Sequence, residues 1–270
     1  MADDPPLVLD VDGTFLSTDL LYETLWSALG RAPLATLRAL AGYRGDRADI
    51  KARLARLGPV RVDLLPVRAE VAALARAAQD GGRRVCLASG SHRTLVEGLA
   101  RAHGLTGEVF ASDGATNCKG PEKARALVAA FGARGFDYAG NEVVDRAVWD
   151  SADRVIAVGE GARLRAAARD TGRPVTFLPG RWRWADLGRA LRPHQWVKNV
   201  LLLFPMIAAH DFTLQTLGLI LLAMATFSAA ASSIYLVNDL LDLEADRLHP
   251  TKRHRPLASG RVPISAAMIA

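Results

Sequence analysis

Two groups of aspartates carry most of the chemistry in this chain. The first is Asp10-Val11-Asp12-Gly13-Thr14. Two carboxylates two residues apart can divide labour, one attacking phosphorus and the other moving a proton. Gly13 lets the backbone turn sharply away from a strand. The second group lies in residues 238–256, where Asp239, Asp242 and Asp246 recur at spacings of three and four. That spacing puts them on one helix face. Like charges so placed repel unless a cation sits between them, and a basic cluster, Lys252, Arg253 and Arg255, follows closely. The run also follows a long apolar segment ending at Tyr235-Leu236-Val237. Carboxylates at a membrane border beside a basic cluster point to Mg²⁺ and a diphosphate.

Elements must position these residues. Residues 7–9 predict a short buried strand that delivers Asp10 at its end. Further strands are predicted at 85–88, 108–111, 137–139, 154–158 and 175–178. Helices are predicted at 67–79, 92–103 and 121–131, and over 20–58 with breaks at Pro33 and Gly42. Strands alternating with helices argue an α/β doubly wound parallel sheet. In such a sheet ligands bind beyond the carboxyl ends of the strands.

Four features fall at strand ends or helix starts, in order. They are the Asp10–Thr14 turn, Ser89 in Leu87-Ala88-Ser89-Gly90-Ser91, Lys119-Gly120, and Gly140-Asn141 followed by Asp145. The Ser89 hydroxyl can bond a phosphate oxygen. Lys119 can neutralise the nucleophile and phosphate, and Asp145 can supply a metal carboxylate. Lys123, one helical turn on, is the fallback if Lys119 points away. Each alone has a plainer reading: an Asx-rich turn after a strand, or a solvated surface lysine. The ordered set is what argues for a site.

At 270 residues the chain has room for two domains. Half of it is hydrophobic, its formal charge is +6, and its mean hydropathy is slightly positive. The apolar excess sits towards residue 270. Arg181, Arg183, Arg189, Arg192 and Lys198 precede one apolar run; Arg247, Lys252, Arg253, Arg255 and Arg261 follow a second. Both groups read as cytoplasmic flanks of a membrane hairpin that turns at His210-Asp211. The second run, 217–237, is long enough to span. The first, 200–209, reaches only if its helix starts near Trp196 and Lys198 snorkels. No nucleic-acid motif accompanies the basic charge, so no nucleic-acid partner is expected. Cys86 and Cys118 lack metal-type spacing and read as ordinary thiols. The acidic start of the chain runs straight into a strand and does not read as a signal peptide. The first domain is therefore expected in the cytoplasm.

Residues 238–256, N-D-x-x-D-x-x-x-D followed by H-P-T-K-R-x-R-P-x-A-S-G, resemble the first aspartate motif of UbiA-type prenyltransferases. Arg192-Pro193-His194-Gln195-Trp196-Val197-Lys198-Asn199 is similar to the entry helix of the branch that includes the decaprenyl-phosphate phosphoribosyltransferases. This resemblance covers about residues 190–270. It implies all-α transmembrane helices and Mg²⁺ held through Asp239, Asp242 and Asp246. It also implies substrate contacts from Lys198, Asn238, Lys252, Arg253 and Arg255, and a polyprenyl phosphate or isoprenoid diphosphate as partner. The family has a second aspartate-rich motif on a later helix. The sequence stops at Ala270 before any such motif, so a truncated bundle over 199–270 is expected, preceded by a basic juxtamembrane segment at 181–198.

The earlier set, Asp10-Val11-Asp12-Gly13-Thr14, Ser89, Lys119 and Gly140-Asn141-x-x-x-Asp145, resembles the haloacid dehalogenase superfamily of aspartate-nucleophile phosphatases, over about residues 5–180. The resemblance implies that Asp10 forms an aspartyl-phosphate. Asp12 would act as general acid/base and offer its backbone carbonyl to Mg²⁺. Ser89 and Lys119 would hold the phosphoryl group, with Thr14 and Gly90 in contact with substrate, and Asn141 and Asp145 would complete the metal site. Many members have Asp where Asn141 stands; an amide oxygen still ligates, with one negative charge fewer. The stretch between Asp12 and the second strand looks like a small helical cap, and the partner would be a phosphorylated small molecule.

Together these features predict a Mg²⁺-dependent phosphatase domain, 1–180, fused to the start of a UbiA-type transferase in a bacterial-type inner membrane, multi-pass and contacting membrane lipid. If the transferase adds phosphoribosyl to a lipid phosphate, the tethered phosphatase could remove the 5-phosphate of the product. Two other readings stay open: a phosphatase merely anchored by the hairpin, and a non-catalytic regulatory domain on a transferase.

Overall fold

Residues 4–45, 47–113, 117–180 and 182–270 are described by a computed structural model. Arg181, part of the expected juxtamembrane segment, lies outside the described residues. The chain divides into two compact units, Met1–Arg181 and Trp182–Ala270.

The first unit is built on a six-stranded parallel sheet. Its strands are β1 (Leu7–Asp10), β2 (Val85–His92), β3 (Val109–Ser112), β4 (Asp137–Gly140), β5 (Val155–Val158) and β6 (Val175–Leu178). They lie in the order β3-β2-β1-β4-β5-β6, every pair parallel. Side chains alternate across a strand, and β1 shows the consequence. Leu7 and Leu9 join one apolar cluster, while Val8 joins another. The first cluster takes in α4 (Ala69–Asp80) and α5 (Arg93–Ala102), through Val71, Ala75, Val96 and Leu99. The second takes in α6 (Pro121–Phe131), α7 (Arg146–Trp149) and α8 (Ala162–Arg169), through Leu127, Trp149 and Ala168. Helices therefore cover both faces, which a buried parallel sheet requires. The strand order reverses direction at β1, so the crevice beyond Asp10 lies at the topological switch point.

Between β1 and α4 the chain inserts three helices, α1 (Leu20–Arg31), α2 (Pro33–Ala41) and α3 (Arg47–Leu57). Asp19 caps α1, its side chain accepting from the amides of Leu21 and Tyr22. Pro33 opens α2, where its missing N–H costs nothing. The segment after α3 passes against α1 at Gly58. A Cβ there would stand 2.3 Å from the Thr24 carbonyl oxygen and 2.4 Å from the Ala28 nitrogen.

The second unit holds α9 (Trp184–Ala190), α10 (Phe204–Ala208), α11 (Leu214–Leu241), α12 (Leu243–Leu248) and α13 (Ile264–Ile269). At 28 residues α11 is about 42 Å long. It is the one described helix long and apolar enough to cross a membrane. The expected partner helix differs. Residues 193–203 wind as a 3₁₀-helix and only Phe204–Ala208 is α-helical. Arg192 enters in the left-handed region (φ 53°), and Pro205 has no N–H to give to a preceding turn. The 3₁₀ stretch runs antiparallel to α11. Trp196 Nε1 donates to Ser232 Oγ at 3.0 Å, and Asn199 Nδ2 donates to Ser228 Oγ at 2.8 Å. Small residues on α11 permit this approach.

Gly58→Ala should destabilise the first unit by about 1–3 kcal/mol, because backbone atoms of α1 cannot yield to the new methyl. Chemical denaturation followed by tryptophan fluorescence measures this; an unchanged midpoint would mean that the insertion is loosely packed.

Candidate active site

Asp10 ends β1 and is buried. Immediately after it the chain makes a five-residue turn in which Leu16 N donates to Val11 O at 2.9 Å. Gly13 sits at φ 76°, and a Cβ on it would fall 2.3 Å from Asn141 Nδ2. Glycine is thus required twice, for the turn and for the approach of the loop after β4. Thr14 Oγ1 lies 3.2 Å from Asp10 Oδ2 and 3.0 Å from Asn141 Oδ1, donating to one at a time.

The lysine expectation changes. Lys119, the first choice, is exposed and pairs with Glu142 at 3.3 Å. Lys123 is buried, and its Nζ donates to Asp10 Oδ1 at 2.5 Å and to Tyr138 Oη at 2.9 Å. The cause is helix phase. Gly120 takes φ 57° and Pro121 starts α6, so the third helical residue faces the sheet. Lys119 is left before the helix, at the mouth of the same cavity.

Asp145 is buried and fully engaged by hydrogen bonds. Its Oδ2 accepts from the amides of Asn141 and Glu142 at 3.1 and 3.0 Å, and its Oδ1 from Tyr138 Oη at 3.2 Å. These bonds shape the loop after β4 before any metal is considered. A continuous buried chain results, Asp10–Lys123–Tyr138–Asp145, and Asp10, Lys123 and Asp145 meet the cavity at its floor.

Ser89 is fully buried and does not face the cavity. Its Oγ donates to Asp12 Oδ2 at 2.8 Å and accepts from Ser91 N at 2.9 Å. Ser91 also donates to Asp12 Oδ2, at 3.0 Å, and it lines the cavity together with Gly90. Asp12 Oδ1 accepts from Leu20 N at 2.8 Å, so this carboxylate ties the strand end to the first turn of α1. Lys51 of α3 reaches the Gly90 carbonyl at 2.5 Å. Spacing alone could not reveal Ser91, Tyr138, Asp19, Asn117 or Lys51; only the tyrosine carried a signal, by lying within a strand that leads into the Gly140-Asn141 motif.

Burial dominates the electrostatics. It pushes the Asp10 carboxyl up to about 7, helped by Asp145 and Asp12 and opposed by Lys123. Asp19 is likewise raised to about 7 by burial and by Asp12. For Lys123 burial works against the charged form, but Asp10 and Asp145 outweigh it and hold the ammonium protonated.

In the second unit, Arg255 Nη1 bridges Asp239 Oδ1 at 3.0 Å and Asp246 Oδ2 at 2.7 Å. Arg192 Nη2 reaches Asp239 Oδ1 at 2.6 Å and stacks over Tyr235. Asp239 and Asp246 are buried while Asp242, at the end of α11, is exposed. Lys198, Asn238 and Arg253 are exposed, and Lys252 approaches Asp246 at 3.8 Å.

Mg²⁺ suits the donor types at both places. Asp10, Asp12 and Asn141 offer hard oxygens around a carboxyl whose charge burial disfavours. Asp246 Oδ1 is buried with no hydrogen-bond donor. Among the described residues no three carboxylate, histidine or cysteine groups close a metal cage. Mg²⁺ does not need one, since it takes one or two carboxylates with substrate phosphate and water.

Residues 200–270 match the model of the UbiA prenyltransferase family. The chain is 32% identical over 273 residues to the uncharacterized protein y4nM of Sinorhizobium fredii, covering 98% of this chain and 52% of that one. It is 51% identical over 85 residues to the decaprenyl-phosphate phosphoribosyltransferase of Mycobacterium tuberculosis, covering 29% and 28% of the two chains. The chain thus spans about half the length of the first relative and just over a quarter of the second. Among solved structures, a phosphoserine phosphatase holding an analogue of its phospho-aspartyl intermediate overlays with a TM-score of 0.44 at 13% identity, covering 65% of this chain and 93% of that one. Over residues 200–270 the comparisons return the UbiA resemblance read from the sequence.

Lys123→Met should cost about 3–5 kcal/mol near pH 8, because it strands a buried carboxylate. The penalty should shrink near pH 5. Asp10 already has a folded pKa above its unfolded value, so its contribution to stability falls as pH rises from about 4 to about 7. Without Lys123 that fall deepens and extends to higher pH. Lys119→Met should change stability by less than about 1 kcal/mol at either pH. Denaturation midpoints of the two variants at both pH values decide which lysine serves Asp10.

Proposed function

We propose that the first unit hydrolyses phosphomonoesters through an aspartyl-phosphate on Asp10, and that the second unit is the start of a UbiA-type membrane transferase. The observation that carries the first part is the buried Asp10 carboxylate, held by Lys123 at 2.5 Å on the floor of a cavity beneath the three inserted helices. A carboxylate fixed at a switch point and neutralised from behind is suited to attack phosphorus.

In this reading an oxygen of Asp10 attacks the phosphoryl group and the bond to the alcohol oxygen breaks. The alcohol departs with a proton from Asp12. Water then attacks the aspartyl-phosphate, Asp12 takes its proton, and Asp10 and inorganic phosphate are released. Lys123 offsets the charge that accumulates on Asp10 and the phosphoryl oxygens. Ser89, Ser91 and the Leu20 amide keep the Asp12 carboxylate in one orientation throughout. Asp10, the Asp12 carbonyl and Asn141, with Asp145 behind them, would hold Mg²⁺, which screens phosphoryl charge when bound. In the second unit Asp239, Asp242 and Asp246 would hold Mg²⁺ against a diphosphate. Arg255, Lys252, Arg253, Lys198 and Asn238 would contact the substrate, an isoprenoid diphosphate or polyprenyl phosphate. The support there is the match of residues 200–270 to the family and the Arg255 bridge between two of the carboxylates.

The basic flanks of the apolar segments support a reading in which residues 182–198 and 242–261 are cytoplasmic, with the first unit on that side and His210-Asp211 opposite. The 3₁₀ stretch supports a crossing. At about 2.0 Å per residue it carries residues 193–203 further than an α-helix would.

Asp10→Asn should abolish Mg²⁺-dependent hydrolysis of a generic phosphomonoester by the full chain, since the amide cannot form the phospho-enzyme. Undiminished turnover by that variant would remove the nucleophile assignment. For topology, Cys86 and Cys118 are replaced by serine, and Asp211→Cys or Thr251→Cys is introduced. An impermeant thiol reagent added outside should label the first and spare the second; equal labelling would mean that the hairpin does not cross.

A further inference from the structure

We infer that the first unit acts on phosphomonoesters whose alcohol part is apolar, that is, on amphiphilic or lipid-type phosphates. This rests on the phosphatase reading above and adds the substrate class. The cavity over Asp10 has a volume of about 380 Å³ and two chemically distinct sides. Its floor is polar and charged: Asp10, Asp12, Ser91, Asn117 and Lys123. Its opposite wall comes from the inserted segment and is mostly apolar: Leu21 and Leu25 of α1, Leu40 of α2, Tyr43 just after it, and Ile50 and Leu54 of α3, with Tyr22, Asp19 and Lys51 also on the lining.

A substrate with a hydroxylated alcohol needs donors and acceptors on that wall, because unpaired polar groups are costly where water is excluded. Tyr22 and Tyr43 offer two phenol hydroxyls, while Asp19 is engaged by the Leu21 and Tyr22 amides and Lys51 by the Gly90 carbonyl. The apolar side chains offer contact area to methylenes or to a ring. The polar end of a phosphate ester and the apolar end of its alcohol therefore have matching sides to lie against.

The wall also does not stop at the cavity. Leu40 and Tyr43 line it and are 39% and 45% exposed. From Leu40 the apolar surface continues along α2 through Leu37 and Leu34, which are 55% and 69% exposed. These three leucines are three residues apart and lie on one helix face. An enclosed pocket for a small polar metabolite has no use for an apolar track leading out of it. A chain longer than the cavity needs one. The same polypeptide carries α11, apolar and long enough to cross a bilayer, which would bring the enzyme to where such substrates are concentrated.

The test uses the full 270-residue chain in lipid nanodiscs, with methyl phosphate and hexyl phosphate as probes below the concentration at which the hexyl ester self-associates. The specificity constant kcat/KM should favour the hexyl ester by roughly tenfold or more, since each methylene laid on the wall adds to binding. The double variant Leu40→Ser, Tyr43→Ser should draw that ratio towards one, and the conservative pair Leu40→Met, Tyr43→Phe should keep it. Equal kcat/KM for the two esters overturns the inference and leaves the phosphatase reading standing. If neither ester is hydrolysed, calorimetric titration with methyl- and hexylphosphonate, corrected for empty nanodiscs, separates the two ideas. A tenfold preference for the hexyl compound then retains the apolar substrate class and removes hydrolysis. Equal binding, or none, removes both.

Discussion

An ammonium and a carboxylate held 2.5 Å apart out of water form the contact on which the first unit depends. Each charge would be costly to bury alone, and the pair is tolerable only while its geometry is kept. That requirement reaches into several elements at once. Asp10 must end β1, Lys123 must lie on the inner face of α6, and Tyr138 of β4 must stand where its hydroxyl can accept from the lysine and donate to Asp145. Asp145 then fixes the loop after β4 through two amides. The loop brings Asn141 against Gly13 and Thr14, which returns the constraint to the turn after β1. Displacing any member would leave a buried polar group without its partner.

Asp12 extends the constraint outward. Its side chain takes hydrogen bonds from two serines of β2 and from the first amide of α1. The inserted helices are therefore registered to the sheet by the same carboxylate that would move protons. Lys51 adds a second tie, from α3 to the Gly90 carbonyl. The inserted helices and Asp12 are in this way mechanically linked: the apolar wall cannot shift far without disturbing that carboxylate.

The second unit solves a related problem at the end of an apolar helix. Asp239 and Asp246 are buried where charge is expensive, and arginines from two segments compensate them. Arg255 spans both carboxylates, while one oxygen of Asp246 keeps no donor. Under the proposed transferase reading, Arg255 would release the carboxylates to a cation and turn to a diphosphate, keeping the charge balanced.

The succession of elements was legible in the chain itself, because it depends on local pattern. Short apolar runs alternating with helical periodicity specify a parallel α/β sheet, and a strand that ends in Asp-x-Asp-Gly-Thr places those carboxylates at the switch point wherever the helices pack. The apolar length of 214–241 likewise needs no tertiary information. What the sequence left open turned on angles that local pattern does not specify. Lys123 faces Asp10 and Lys119 does not, because a left-handed Gly120 sets the phase of α6. Ser91 reaches the cavity and Ser89 does not, although both hydroxyls bond the same oxygen of Asp12, because Ser91 lies further towards the carboxyl end of β2. Residues 193–208 are not one α-helix, because Arg192 enters left-handed and Pro205 interrupts the backbone bonds. The apolar wall over Asp10 is assembled from three helices whose leucines look like ordinary core residues in sequence. Only their packing leaves one side of them open to a substrate, since exposure is a property of the assembled neighbours and not of the residue.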